Sequence, residues 1–293
     1  MSSFPAVSAQ TQQADCWRIL KKQNFPAAES FLRARERTCV NACGYFVRPE
    51  KSGHVWFLPN AAGNIASLVV QRRSSLIPVL GDGRDIPAPR FLERFQRYIP
   101  LRSFSLQGVT RSVEVFETFL AAAGLRPGVR VDFDLMYTDK SPWAGAAPRR
   151  LPGLVLRRPN EADIDALFPL QAAYEQEEIL PPNAAFNPAS CRLALERIIR
   201  REYTIAACLK GRIVGKANTN AESFTRYQIG GVYVHPDFRG RGIAAVMTAA
   251  LVEELIARGK GVSLFVKKQN APARAVYHRI GFMNAGDYRI SYY

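Results

Sequence analysis

The chain has 293 residues, of which 47% are hydrophobic, and a formal net charge of +15; this composition allows a sizeable core, suits two domains and favours anionic partners. No apolar run approaches the ~20 residues of a membrane span, residues 1–14 lack the pattern of a secretory signal, and no Lys/Arg-rich block or zinc-finger spacing indicates nucleic-acid binding. The five cysteines show no paired metal-ligand spacing, so we expect a cytoplasmic protein with free thiols, no membrane association and no metal.

The first 140 residues are predicted to form an α/β domain. Helices are predicted at residues 17–20, 27–36 and 112–122, and strands at residues 54–58, 67–70, 76–80, 103–109 and 129–137. The strand predictions rest on short apolar or alternating runs, and Gly124 is expected to close the last helix.

A linker is predicted at residues 141–153, because three prolines and two glycines in this stretch prevent a regular element. The second domain then covers residues 154–293. Its predicted strands are residues 154–157, 203–209, 212–217, 227–234 and 262–266, and its predicted helices start at Asn160, cover residues 193–201, run from Ile243 to before Gly259, and run from Asn270 to before Gly281. This order gives a mixed-sheet α/β (α+β) domain in which a β-meander leads into a β-α-β-α segment.

The most informative segment is a glycine-rich turn between the strand ending at Val234 and the helix beginning at Ile243. Such a turn leaves several backbone N–H groups unpaired at the positive end of the helix dipole, an arrangement that binds phosphate groups. A P-loop is excluded, because Ile243 and Ala244 occupy the places of its Lys and Ser/Thr. A dinucleotide-binding fingerprint is formally present at residues 240–245, but too few residues follow it to build a doubly wound sheet.

A third interpretation of this turn agrees better with its flanks. Arg239-x-x-Gly242-x-Ala244 resembles the (Q/R)-x-x-G-x-(G/A) signature with which the GNAT superfamily of N-acetyltransferases binds the pyrophosphate of acetyl-CoA. The segment from Asn270 to Phe282 resembles that family's Asn…Ala…Tyr…Gly-Phe segment. The resemblance covers residues 154–293 and implies the GNAT fold in this half, with acetyl-CoA as a substrate.

The first half has a similar order of elements, with the single Gly108 where the second half has its glycine-rich turn. In this respect it is similar to the N-terminal part of two-part bacterial acetyltransferases. The resemblance implies a degenerate GNAT-like domain that does not bind CoA. An unrelated α/β accessory domain is the alternative.

The resemblance also implies which residues contact the acyl donor. The expected contacts with its pantetheine arm and pyrophosphate are Val232, Tyr233, Val234, Arg239, Gly240, Arg241, Gly242, Ile243, Ala244, Asn270 and Tyr277. A backbone N–H of the strand over residues 229–234 is expected to polarise the thioester carbonyl, and Tyr277 to protonate the departing thiolate. The alternatives are core packing for Tyr277 and helix capping for Asn270.

The general base is less well defined, because Gln228 and Gly230 stand where many family members carry a glutamate on this strand. One candidate is Glu222, in the loop before the strand. The others are Glu177 and Glu178, in an acidic run that ends at two prolines and that we predict to be a loop near the acceptor. A solvated acidic turn without a catalytic role is the alternative.

The sequence therefore predicts an acetyl-CoA-dependent N-acetyltransferase that acts on a primary amine. The acidic run suits a cationic acceptor, either a small molecule or a lysine or N-terminus of a peptide or protein. The absence of a glutamate from the strand leaves a second hypothesis, an acetyl-CoA or acyl-CoA sensor without turnover.

Overall fold

A computed structural model describes residues 17–49, 53–72, 74–81, 103–142, 151–181 and 184–293. The chain forms two units: unit 1 contains the residues up to Asp132 together with Asp287–Tyr293, and unit 2 contains Phe133–Gly286. This division differs from the predicted domains at 1–140 and 154–293, because each half of the sequence supplies a strand segment to the other half's unit. Most of the predicted linker, residues 143–150, lies outside the described residues.

Unit 1 is a mixed sheet with three described α-helices. The helices are α1 (Phe25–Arg33), α2 (Val40–Val47) and α3 (Thr110–Ala122), and the strands are β1 (Arg18–Ile19), β2 (His54–Pro59), β3 (Ile65–Arg72), β4 (Ser75–Leu80) and β5 (Ser105–Val109). The sheet follows the order β1-β2-β3-β4-β5 and is completed by the C-terminal part of β12 (Met283–Tyr292), which runs antiparallel to β5. Neither α2 nor β12 was predicted, whereas the predicted strands of this half are confirmed.

The helix predicted at residues 17–20 is wrong. Arg18 and Ile19 instead form a two-residue strand antiparallel to β2, and Leu20 continues the pairing with a hydrogen bond to the Val55 carbonyl. A four-residue stretch is too short to support a helix by itself. The extended form lets Trp17 pack edge-on against Phe116 in the core of the unit, with ring centroids 5.9 Å apart.

Gly108 was predicted to stand where the second half has its glycine-rich turn, and this position is wrong. It lies inside β5, where a Cβ atom would approach the Pro78 carbonyl oxygen of β4 at 3.1 Å. Strands β4 and β5 are parallel, and residues 82–102 between them lie outside the described residues.

Unit 2 is also a mixed sheet with helices. Its strands are β6 (Val129–Thr138, from Phe133 onwards), β7 (Leu154–Arg157), β8 (Thr204–Leu209), β9 (Arg212–Glu222), β10 (Arg226–Val234) and β11 (Gly261–Lys267), and its helices are α4 (Ile164–Tyr174), α5 (Pro188–Arg201), α6 (Ile243–Ala257) and α7 (Ala271–Ile280). The sheet order is β6-β11-β10-β9-β8-β7, with β10 and β11 parallel and the other neighbours antiparallel. The predicted order of strands and helices in this half is confirmed.

The acidic run is not the predicted loop. Glu175–Ile179 continues α4 as a single π-helical turn, here called the π-turn, and ends where Leu180 donates its N–H to the Glu175 carbonyl. Single π-turns of this kind occur often at functional sites. The π-turn carries three carboxylates, those of Glu175, Glu177 and Glu178.

Helices cover both faces of β10 and thereby fix its position. On one face, the buried side of α6 places Met247, Leu251 and Leu255 in a core with strand residues such as Ile229 and Leu264. On the other face, side chains of α4 and α5 form a second core with Tyr233. The carboxyl end of β10 is therefore held rigidly where the chain leaves the sheet.

Candidate active site

Strand β10 contains a bulge near its carboxyl end. Gly230 pairs with Asn218 of β9 and Tyr233 pairs with Lys216, so three steps along β10 oppose two along β9. On the other side of β10, the pairing with β11 ends at Ile229. The bulge therefore places Gly231 and Val232 outside both hydrogen-bonding ladders, at the point where two parallel strands separate.

Side chains, rather than a neighbouring strand, bind the backbone of the bulge. The Gly231 N–H donates to the Tyr174 hydroxyl at 3.0 Å, and the Lys216 ammonium donates to the Gly231 carbonyl at 3.0 Å. Gly231 has φ of +59°, and a Cβ atom there would lie 2.2 Å from Asn218 Oδ1. Only glycine fits this position.

The glycine-rich turn follows the bulge after the last residues of β10 and a short 3-10 helix at Pro236–Phe238. Gly240 and Gly242 both have left-handed φ angles, +75° and +76°, and α6 begins at Ile243. The first N–H groups of a helix have no intrahelical partner and lie at its positive end. The space beside the Cα atoms of Gly240 and Gly242 is open, so the predicted residues Gly240–Ala244 form one accessible turn of the kind that can bind an anion.

Arg239 connects this turn to the π-turn. Its Nε donates to the Val234 carbonyl at 3.0 Å and its Nη2 to Glu177 at 2.9 Å. Its guanidinium also lies over the Tyr233 ring, 5.1 Å from the centroid. The predicted donor contacts Tyr233, Val234 and Arg239 are thus brought together with the predicted acceptor-side residue Glu177.

Glu177 remains an ionised carboxylate at neutral pH. Partial burial raises its pKa, but the hydrogen bond from the Tyr233 hydroxyl and the charge of Arg239 outweigh burial and hold the pKa below its ordinary value. The same contact acts in the opposite direction on the phenol, because burial and Glu177 raise the pKa of Tyr233 to about 12. A carboxylate with a lowered pKa attracts cations better than it accepts protons.

Glu178 and Asn270 lie on the other side of the π-turn. Glu178 forms an ion pair with Lys267 at 3.1 Å and accepts a 3.5 Å hydrogen bond from the Asn270 amide. The Asn270 side chain also accepts the N–H of Ala273 and so caps α7. The acidic π-turn is thereby attached to the end of β11 and the start of α7.

Tyr277 lies on α7, buried, with its ring 5.9 Å from that of Phe282. Burial raises the pKa of its phenol, and electrostatic interaction with Tyr174 and Glu178 raises the pKa further. Tyr277 therefore stays protonated at neutral pH and is close to the residues that surround the bulge. This state suits a proton donor, while the contact with Phe282 also gives the ring a packing role.

Glu222 is separate from these residues. It accepts a hydrogen bond from the Tyr227 hydroxyl at 2.9 Å, near the first residues of β10. Tyr227 precedes Gly231 by four residues, which is about 13 Å along an extended strand. Glu222 therefore does not lie with Glu177, Glu178 and Tyr277.

The sequence analysis missed Tyr174, Lys216 and Asn218. Lys216 Nζ donates to Asn218 Oδ1 at 2.9 Å as well as to the bulge, and it is only 1% exposed. A lysine between buried Val214 and Ala217 in a strand was the available signal, because a buried lysine requires specific partners.

In the part of the chain that the structure describes, no helix is both long and apolar enough to cross a membrane. The same residues contain no group of three or more His, Cys, Asp or Glu side chains that would hold a metal ion.

Comparison with known proteins agrees with this geometry. A model of the Acetyltransferase (GNAT) family matches residues 168–282. A curated mycothiol acetyltransferase from Saccharomonospora viridis is 37% identical over 89 residues, a stretch that covers 27% of this chain and 29% of that protein. The chain therefore matches less than a third of the length of this relative.

Solved structures share the fold over a greater length. An X-ray structure of a Drosophila protein has a TM-score of 0.69 at 13% identity and covers 94% of this chain and 98% of its own. A tandem GNAT protein from the clavulanic acid biosynthesis pathway has a TM-score of 0.60 at 13% identity, covering 95% and 98%. The mixed α/β fold over nearly the whole chain is therefore that of GNAT proteins, and at residues 168–282 the chain carries an acetyltransferase domain of the GNAT family.

Proposed function

We propose that unit 2 transfers an acetyl group from acetyl-CoA to a primary amine. The observation that carries this proposal is the continuity of the bulge at Gly231–Val232 with the anion-binding turn at Gly240–Ala244. A pantetheine arm that runs along Val232–Val234 would end at its pyrophosphate on the turn, with the thioester beside the bulge. Both ends of one ligand thus have complementary backbone groups on a single segment of chain.

The reaction needs three contributions from the protein. A backbone N–H of the bulge stabilises the negative charge that develops on the thioester oxygen as the neutral amine attacks the carbonyl carbon. The tetrahedral intermediate then collapses, the C–S bond breaks, and Tyr277 supplies a proton to the departing thiolate. A cationic amine gives one proton to water before the attack, and after it the nitrogen loses a second proton to water or a nearby carboxylate, which leaves an amide and free CoA.

The acceptor side is formed by Glu177 and Glu178 of the π-turn. Glu177 is held ionised by Tyr233 and Arg239, so its main contribution is attraction of a cationic amine rather than strong general-base catalysis. Glu222 lies at the other end of β10, and we do not retain it as a base. The proposed acceptor is accordingly a cationic primary amine, on a small molecule or on a peptide or protein.

One observation favours a second candidate, an acyl-CoA sensor without turnover. Glu177 is paired with Arg239, and no glutamate stands at Gln228 or Gly230 of β10. A protein that binds acetyl-CoA but has no group to receive the amine proton would act as a sensor.

Single-turnover acetylation separates the two candidates. Enzyme in excess of labelled acetyl-CoA is mixed with a panel of polyamines, aminoglycosides and lysine peptides, and the label is followed into each amine. Amide formation with at least one amine is the expected result. Tight binding of acetyl-CoA with the thioester intact in the presence of every amine would instead support the sensor.

A further inference from the structure

Lys216 is a fully buried lysine that lies beside the proposed thioester site. Its ammonium group donates to Asn218 Oδ1 at 2.9 Å and to the Gly231 carbonyl at 3.0 Å, and it lies 5.0 Å from the centroid of the Tyr174 ring. Burial of an ammonium group is strongly unfavourable without hydrogen-bond partners, so these contacts are what allow a lysine at this position.

The Gly231 carbonyl belongs to the same peptide group as the Val232 N–H. In a trans peptide these two groups point in opposite directions within one plane. A hydrogen bond from Lys216 to the carbonyl therefore sets the direction of the Val232 N–H. It also polarises the peptide group and makes this N–H a stronger donor.

Tyr174 acts on the preceding peptide group. Its hydroxyl accepts the Gly231 N–H at 3.0 Å, so the two side chains fix consecutive peptide planes on either side of Gly231. Without them these planes would be weakly restrained, because glycine adopts many conformations and the bulge lies outside the strand ladders.

We propose that Lys216 is a positioning residue for acetyl transfer, which holds the Gly231–Val232 peptide so that the Val232 N–H faces the thioester carbonyl of acetyl-CoA. This inference rests on the function proposed above. Lys216 lies outside the signature motif, yet it would orient the Val232 N–H that stabilises the developing oxyanion.

The surroundings of Lys216 keep it near the point where it changes charge. Burial lowers the pKa of Lys216 to about 7, although the interactions with Cys191 of α5 and Glu175 of the π-turn act in the opposite direction. Asn218 and Tyr174 also face it. The ammonium form makes charge-assisted and therefore stronger hydrogen bonds to the Gly231 carbonyl than the neutral amine does.

The chain provides a matched control at the other end of β10. Lys260 donates to the Phe224 carbonyl at 2.7 Å and lies 5.8 Å from the centroid of the Tyr227 ring. It therefore has the same two kinds of contact as Lys216, a carbonyl and a tyrosine ring, but it lies away from the bulge. Lys260→Met removes such contacts without touching the proposed site.

The direct test is the ¹³C signal of the thioester carbonyl when [1-¹³C]acetyl-CoA binds to the full-length protein. We expect a shifted carbonyl signal in wild type and Lys260→Met, and a signal close to that of free acetyl-CoA in Lys216→Met. The dissociation constant of acetyl-CoA, measured by calorimetry, should change little, because the anion-binding turn is intact. With an amine that the enzyme accepts, kcat of Lys216→Met should be about 10- to 100-fold below that of wild type. This approaches the loss of activity caused by removal of one oxyanion-hole donor.

A wild-type carbonyl signal in Lys216→Met would overturn the inference. If Lys216→Met does not fold, Lys216→Gln is the second variant to test, because it keeps a neutral N–H donor on a shorter side chain. Its carbonyl signal should lie between those of wild type and free acetyl-CoA. A wild-type signal in Lys216→Gln counts equally against the inference. Since the signal needs no acceptor, it is independent of the amine panel. Failure of the wild type to bind acetyl-CoA would overturn the proposed function and this inference together.

Discussion

Glu177 accepts a 2.9 Å hydrogen bond from Arg239, so the carboxylate proposed to attract the amine is paired with the arginine that precedes the proposed pyrophosphate-binding turn. The pair is about half exposed, and pairs of this kind contribute little to stability. Its importance lies in competition, because a bound pyrophosphate and Glu177 would both attract the same guanidinium group. Binding of acetyl-CoA would therefore release Glu177 from Arg239 and leave its carboxylate available to a cationic amine.

The first prediction follows from this pairing. Glu177→Gln should tighten acetyl-CoA binding by up to about fivefold, since an exposed ion pair is worth at most about 1 kcal/mol, and should raise KM for a cationic amine. Calorimetry and initial rates would measure the two effects. Glu161→Gln is the control, because Glu161 forms an exposed pair with Arg200 at 2.8 Å elsewhere in unit 2. Weaker acetyl-CoA binding in Glu177→Gln would contradict the competition.

The second prediction concerns the anion-binding turn. Gly242→Glu should abolish acetyl-CoA binding, because a carboxylate would block the approach to the helix N-terminus and repel the pyrophosphate. Gly259→Glu is a matched control: Gly259 follows the other end of α6 with φ of +73° and open space beside it, so the backbone strain is similar. We expect calorimetry to give one acetyl-CoA per chain in wild type and in the control. Two per chain, or binding that survives in Gly242→Glu, would refute this site.

The third prediction concerns the proton donor. Tyr277→Phe should leave acetyl-CoA binding nearly intact and slow turnover by ~10²-fold or more, the usual size of a general-acid effect. Tyr227→Phe serves as the comparison, since it removes another phenol in unit 2, one that is bonded to Glu222, and it should keep near-normal turnover. Equal rates for Tyr277→Phe and wild type would reduce Tyr277 to a packing role.

The fourth prediction concerns stability and pH. Lys216 has a pKa of about 7 in the folded protein against 10.5 for an ordinary lysine, so between these values the unfolded chain binds the additional proton. Folding stability therefore rises with pH across this window, the unfavourable effect of the buried charge being fully present below pH 7. As the pH rises, the free energy of unfolding of wild type should increase relative to that of Lys216→Met by up to about 1.4 kcal/mol per pH unit.

Urea unfolding at pH 7 and pH 9 would measure this gain. The difference in the free energy of unfolding between wild type and Lys216→Met should change over this range. A constant difference for Lys216→Met would show that the ammonium is not disfavoured in the folded protein.

The position of the glycine-rich turn could be predicted from the sequence, because its features are local. Gly242 directly precedes α6 and Gly240 lies two residues earlier, and their left-handed backbone angles are ones that glycine adopts readily. The bulge was not predictable in the same way. Tyr174 is separated from Gly231 by 57 positions and Lys216 by 15, and a pairing register is decided by such distant contacts rather than by the local pattern.

The same limit explains the errors. The acidic run was predicted to be a loop because it follows a helix and ends at two prolines. It is instead a helical turn, and its Glu177 contacts Arg239 and Lys267. The residues of β12 show no strong strand pattern of their own. Their position in the sheet depends on contacts with β5, for example the hydrogen bond that the Tyr288 hydroxyl donates to Gln107.

Unit 1 therefore depends on residues made late in synthesis. Tyr288 and Gln107 are 181 positions apart, so the ribosome must complete almost all of unit 2 before β5 can pair with β12. Unit 2 in turn includes Phe133–Thr138, which are made before the rest of it. Neither half of the gene would encode a self-sufficient folding unit. Separate expression of residues 1–142 and 151–293 should yield fragments that acquire stable structure only when the two are mixed, because each lacks a strand that the other carries.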